Sequence, residues 1–191
     1  TVEAVMDERT QASLEAYYRQ FTQEELDTIQ AIAMDMWEPY IRSTKDHLPD
    51  AHRKIVFDKY HVAQHLNEAV DKVRREENRE LVAEGKDWLK GTKYQWLRNP
   101  DNFLRRQWSQ FTELRESVLK TARAWAIKES AMCLFDLRYL GVVEKNFRTW
   151  YGWAIRSRLE PIKRVARMIR SHWENIKTYF EHRITNAGAE S

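Results

Sequence analysis

The sequence predicts an α/β fold in which a small core of parallel strands and covering helices is followed by a large, mainly helical segment. Three observations carry this. Short apolar runs at 30–34 and 54–57 alternate with stretches of helical spacing, which is the pattern of strand, crossover helix and parallel strand. From residue 62 onward the apolar residues recur every three or four positions almost to the end. With 5 Gly and 4 Pro in 191 residues, few turns and long elements are expected.

Composition narrows the class. The chain is 42% hydrophobic and 32% charged, and its 8 Trp, 8 Tyr and 7 Phe supply material for a packed core, which excludes a largely disordered chain. Formal net charge is only +3, so any nucleic-acid reading rests on where the charge lies. The single cysteine, Cys133, excludes a disulfide framework and a cysteine-rich zinc site; within Ala-Met-Cys-Leu-Phe it reads as a buried small hydrophobe. No apolar run is long enough to cross a bilayer and the first residues lack a signal-peptide pattern, so a cytoplasmic setting is expected.

Taken in order, residues 2–6 alternate like a short strand. Leu14, Tyr17, Tyr18 and Phe21 predict a helix over about 10–22. Residues 30–34 read as a buried strand ending at Asp35. A helix over 37–48 tolerates Pro39 in its first turn, where no backbone donor is needed. Residues 54–57 form another short strand, ending at Asp58. Val62, Leu66, Ala69, Val70 and Val73 mark the apolar face of a helix that continues through the charged stretch 74–80, with Gly85 a weak point and Gly91 and Asn99-Pro100 a break. Phe103, Phe111, Leu114, Val118, Ala122 and Trp125 predict one helix over roughly 103–133. An amphipathic stretch covers 134–151, and Ile162, Val165, Ile169, Trp173, Ile176, Phe180 and Ile184 predict a final long helix over about 155–184. Trp108, Trp125, Trp150, Trp153 and Trp173 read mainly as core.

Several residues could carry chemistry. Asp35 and Asp58 each close a strand, and in parallel α/β units functional groups gather at the carboxyl ends of strands. A carboxylate there can ligate a hard cation; it can equally cap the helix that follows. Asp58 and His61 fall near the start of one helix. His61 and His65 lie one turn apart, but a zinc site needs a third ligand that the flanking sequence lacks. Residues 156–183 hold eight basic side chains, among them Arg156, Lys163, Arg164, Arg167 and Arg170, against three glutamates, a net +5. Such a ridge suits phosphate contacts; it also suits an ordinary solvated helix face.

Together these segments resemble the bacterial insertion-sequence transposases of the ISL-three type. The resemblance runs through Ile32-Ala33-Met34-Asp35-Met36-Trp37-Glu38-Pro39-Tyr40, Leu48-Pro49-Asp50-Ala51 and Ile55-Val56-Phe57-Asp58-Lys59-Tyr60-His61-Val62. It continues through Asn67-Glu68-Ala69-Val70-Asp71-Lys72-Val73-Arg74-Arg75, Leu89-Lys90-Gly91-Thr92-Lys93-Tyr94, Asn99-Pro100 and His182-Arg183-Ile184-Thr185-Asn186-Ala187, followed by Glu190.

The resemblance implies a partial ribonuclease-H-like core over 1–61, a helical insertion with its return helix over 62–184, and a closing catalytic segment, 185–191, that carries Glu190. It places the second catalytic aspartate of a two-aspartate, one-glutamate site at Asp35 and the glutamate at Glu190, with Asp58 and His61 in a patch beside them. The first aspartate would precede residue 1, Asp7 being in the wrong topological place, so the isolated chain is expected to be inactive. The resemblance further implies Mg²⁺, with Mn²⁺ as a substitute, at Asp35 and Glu190. Its implied partners are transposon-end and target DNA and further copies of the chain, with a dimer the expected assembly, in a bacterial, nucleoid-associated setting without a membrane. The full enzyme would cleave DNA and transfer strands. Two other readings fit the same residues: a non-catalytic helical DNA-binding or assembly module derived from a transposase, and an unrelated metal-dependent nuclease.

Overall fold

A computed structural model describes residues 10–184, which divide into two compact units: one holding the segment up to Val62 together with that from Ser171 on, the other holding Ala63–Arg170. The strand expected at 2–6, Asp7 and Glu190 lie outside the described residues.

In the first unit, α1 (Gln11–Tyr18) and α2 (Gln23–Thr28) start at threonine caps. Thr10 Oγ1 accepts from Ser13 N, while Thr22 and Glu25 satisfy each other's backbone donors in a capping box. This splits the helix expected over 10–22 from a second one that the sequence reading missed. β1 (Ile32–Met34) pairs in parallel with β2 (Ile55–Phe57), Met34 opposite Phe57. Between them lie α3 (Glu38–His47) and the single turn α4 (Ala51–Lys54). Tyr18 locks α1 onto α3: its hydroxyl bonds Thr44 Oγ1 at 2.8 Å and its ring stacks on His47.

Both strands are shorter than their apolar runs, and they make the only sheet among the described residues. β2 is buried throughout. The helix α11 (Trp173–His182) packs along it, where Thr178 Oγ1 and Asn175 Nδ2 donate to the Ile55 carbonyl at 2.6 and 3.3 Å. A carbonyl left open at a strand edge is thereby satisfied by helix side chains.

The second unit is helical: most of α5 (Lys59–Ala83), then α6 (Lys93–Leu97), α7 (Arg105–Arg115), α8 (Lys120–Met132), α9 (Leu140–Arg156) and α10 (Glu160–Ser171). Its aromatic centre is Phe111, with Trp96 and Trp125 each edge-on to it. The expected single helix over 103–133 is interrupted at 116–119, and Val118, read as part of its apolar stripe, is wholly exposed. The new helix start at Lys120 has no cap of its own. Instead the buried carboxylate of Glu77, on α5, accepts Lys120 N and Thr121 N, each at 2.7 Å, and Thr121 Oγ1 at 2.6 Å. Glu77→Ala should therefore leave two helix-start donors and a hydroxyl unpaired. The unfolding free energy should fall by about 2 kcal/mol in a denaturant titration; an unchanged midpoint and slope would remove Glu77 from this role.

The helix expected over 155–184 is also broken. α9 ends at Arg156, Arg158 turns the chain with φ +59°, and Ser157 Oγ accepts Leu159 N; a second break falls at His172. Trp150 is buried, its indole N–H donating to the Ile127 carbonyl, whereas Trp153 is exposed. Cys133 is exposed too, contrary to the buried reading, because α8 gives way to a 3-10 turn (Cys133–Asp136) that buries Leu134 and Phe135 instead. It lines a cavity of about 330 Å³ with Ser130, Leu134, Leu137, Asn146, Thr149, Trp150 and Trp153. Partial desolvation there raises the thiol above its ordinary value, and the carboxylates of Asp136, Glu129 and Asp101 add to the effect. Since the thiolate is the nucleophile, Cys133 should alkylate more slowly than free cysteine near neutral pH and accelerate only above the ordinary thiol range. A rate equal to free cysteine near neutrality would contradict this.

Candidate active site

The parallel pairing brings the ends of the two strands together. Asp35 follows Met34 and Asp58 follows Phe57, so both leave the same, carboxyl-terminal edge of the sheet. This follows from the crossover: a strand, a covering helix and a returning parallel strand put successive C-terminal ends side by side.

The two aspartates have different surroundings. Asp58 is 1% exposed; its Oδ1 accepts Tyr60 N at 3.0 Å and its carbonyl accepts Val62 N at 3.4 Å, so it caps the first turn of α5. Asp35 is the more open, with 27% of its side chain exposed. It is not the cap of α3: that position belongs to Trp37, which offers no side-chain bond, and Asp35 lies two residues upstream. Its Oδ1 lies 3.8 Å from Nδ1 of His61, whose side chain is 12% exposed. That spacing is too long for a hydrogen bond and short enough for an electrostatic pair. The Tyr60 ring, largely exposed, stands edge-on to His61, and Trp37, two residues after Asp35 in the chain, stands edge-on to Tyr40.

The structure thus brings Asp35 and His61 together and turns Asp58 toward backbone capping. Among the described residues no three His, Cys, Asp or Glu side chains converge to hold a metal.

The basic residues behave unevenly. Arg156 ends α9, so it is not on one helix with Lys163, Arg164, Arg167 and Arg170, which lie on α10. This corrects the continuous ridge; the turn at 157–159 separates its first member. Glu160 pairs with both Lys163 Nζ at 2.7 Å and Arg167 Nη1 at 3.1 Å, and Arg170 sits over the Tyr151 ring at 4.8 Å. Two of the five charges are therefore partly answered within the helix, and Glu160 is held below the usual carboxylate range by hydrogen bonds from Lys163 and Arg167. Arg156 and Arg164 are exposed.

The family model described as Transposase, of the DDE ISL-three group, matches residues 1–191. The chain belongs to that transposase family. A curated relative, the transposase for insertion sequence element IS1001 of Bordetella parapertussis, is 23% identical over 185 residues, covering 95% of this chain and 45% of the relative. The transposase chain thus spans about half the length of that relative. No solved structure matches it. No helix among its described residues is long and apolar enough to cross a membrane.

Asp35 and His61 were legible in the transposase sequence as separate signals, one closing a strand and one opening a helix. Their approach was not, because it depends on the parallel register. The capping role of Asp58 could be read from its place at the start of α5, where aspartate is a favoured cap. Glu77, buried in a charged stretch that reads as a solvated face, gave no signal at all.

Proposed function

We propose that Asp35 is a metal-binding catalytic carboxylate of a full-length DNA transposase, in a sheet of ribonuclease-H-like type, with Glu190 as a second ligand. The observation that carries this reading is the placement of Asp35: at the carboxyl edge of a parallel strand pair, more open than Asp58, outside the capping position of α3, and 3.8 Å from His61.

The donor set fits a hard divalent ion. Mg²⁺ takes oxygen ligands, keeps several waters and needs only one or two carboxylates from the protein. When bound, such an ion supplies charge stabilisation to the attacking and leaving oxygens of an in-line phosphoryl displacement. Imidazole nitrogen suits softer metals better, so His61 acts here as a positioning residue: its ring, edge-on to Tyr60, stands beside the Asp35 carboxylate and limits the directions in which it can turn. Asp58 holds the start of α5, and with it His61, in place.

Chain length permits Glu190 to reach the site. His172 lies against Phe57, while Asn175 and Thr178 bond the carbonyl of Ile55, so α11 runs back along β2 away from the aspartates. Its ten residues rise about 15 Å. The seven residues 184–190 can span about 24 Å when extended, more than that rise.

The direct test is the full-length protein with labelled element-end DNA and Mg²⁺. This reading expects a nick at the element end followed by joining of the freed 3′ end to a second DNA. Cleavage without joining supports a nuclease instead; binding with neither product supports a non-catalytic module.

A further inference from the structure

The turn that follows α5 carries a surface that the active-site reading does not use. Residues 86–98 hold Lys86, Lys90, Lys93 and Arg98 against Asp87, a net +3, which equals the formal charge of the whole chain. Trp88 and Tyr94, in the same segment, are 54% and 73% exposed. Large aromatic rings left this open on a helical unit contribute little to its core.

The segment is nonetheless firmly anchored. Leu89, Thr92 and Trp96 point inward and are buried. Thr92 Oγ1 donates to the Leu89 carbonyl at 2.8 Å, the Trp96 indole donates to Thr92 Oγ1 at 3.1 Å, and Lys128 Nζ donates to the Trp96 carbonyl at 3.0 Å. Gly91, at φ +73°, makes the left-handed turn that lets Leu89 and Thr92 face the core while Lys90, Lys93 and Tyr94 face outward. The outward side chains are thus held on a fixed frame.

Charge and rings are interleaved. Lys86 lies over the Trp88 ring at 5.2 Å and Lys93 over the Tyr94 ring at 5.8 Å. Glu84 takes up the charge of Lys86, but Lys90 and Lys93 have no carboxylate within ion-pair distance among the described residues.

We propose that the 86–98 turn binds single-stranded DNA, with unpaired bases stacked on Trp88 and Tyr94 and the adjoining phosphates met by Lys90, Lys93 and Arg98. Flat, exposed rings beside ammonium groups match a strand whose bases are unstacked; paired bases in a duplex offer no such face. Phosphate attraction alone would need the lysines and not the rings. This inference rests on the reading that the chain acts on DNA, and supplies a contact for a strand opened during that action.

The test uses the full-length protein and fluorescence anisotropy with a fluorescein-labelled oligothymidine and, separately, a labelled blunt duplex of equal length. Trp88→Ala and Tyr94→Ala should each weaken single-strand binding about tenfold while barely changing duplex binding. Lys90→Glu combined with Lys93→Glu should weaken both and reduce the salt dependence of affinity. Both rings are exposed, so the variants should keep the parent circular dichroism spectrum. Unchanged single-strand binding by the ring variants overturns the proposal, as does an equal loss for strand and duplex. Asp35→Ala should leave this binding intact, so failure of the active-site reading would show as retained cleavage in that variant, independently of the turn.

Discussion

Full-length protein carrying Asp35→Ala should lose element-end cleavage by about a thousandfold while binding duplex DNA as the parent does. The magnitude follows from the work assigned to the carboxylate. An ion at the reacting phosphate contributes several kcal/mol of transition-state stabilisation, and each 1.36 kcal/mol is about tenfold in rate. Folding should be little affected, because Asp35 is partly exposed and caps no helix. The variant thus separates chemistry from structure in a way that Asp58→Ala cannot: Asp58 is buried and bonded to Tyr60 N, so its loss would disturb the start of α5 whether or not it takes part in catalysis. Gel-resolved cleavage and anisotropy on the same preparation check both halves. Parent-level turnover by Asp35→Ala would show that the carboxylate is not catalytic.

Trp96→Ala should cost about 3–5 kcal/mol of stability, the largest effect expected in the helical unit. The residue is completely buried and lies edge-on to Phe111 at 4.8 Å between ring centroids. Truncation removes its apolar area, leaves a cavity beside Phe111 and strips Thr92 Oγ1 of its indole donor. Trp96→Phe should cost less than half as much, since it keeps most of the ring volume and loses mainly the N–H bond. Urea unfolding followed by circular dichroism measures both. Near-equal losses for the two variants would mean that the hydrogen bond, and not the packing, holds this centre together.

The strand pair could be read from the sequence because each strand is a short apolar run between polar turns, and the helical stretch between them has the length of a parallel crossover. The helix breaks were harder to see, for identifiable reasons. The interruption at 116–119 leaves the apolar spacing from Leu114 through Val118 to Ala122 undisturbed, and what starts the next helix is Glu77, more than forty residues away. At Arg158 the chain takes a left-handed turn without a glycine, so the usual marker is missing. Cys133 was misread because its apolar neighbours set the expectation, while a change from α to 3-10 geometry rotates it outward. The basic ridge was visible as a count of charges, but pairing of Glu160 with Lys163 and Arg167 is a matter of rotamers that a count does not contain.

The resemblance singles out Asp35 among 29 acidic residues, and the fold sets that residue at the carboxyl end of β1, its Oδ1 3.8 Å from His61 Nδ1.

In the proposed site, two carboxylates far apart along the chain, Asp35 and Glu190, share one divalent ion. Titrating Mn²⁺ into the full-length protein and following the free ion by electron paramagnetic resonance tests this directly, using the parent, Asp35→Ala, Glu190→Ala and the double variant. If the ion is shared, each single variant should lose the tight site and the double variant should lose nothing further. Tight binding that survives in Glu190→Ala, or losses that simply add, would place the two groups at separate sites and contradict the account.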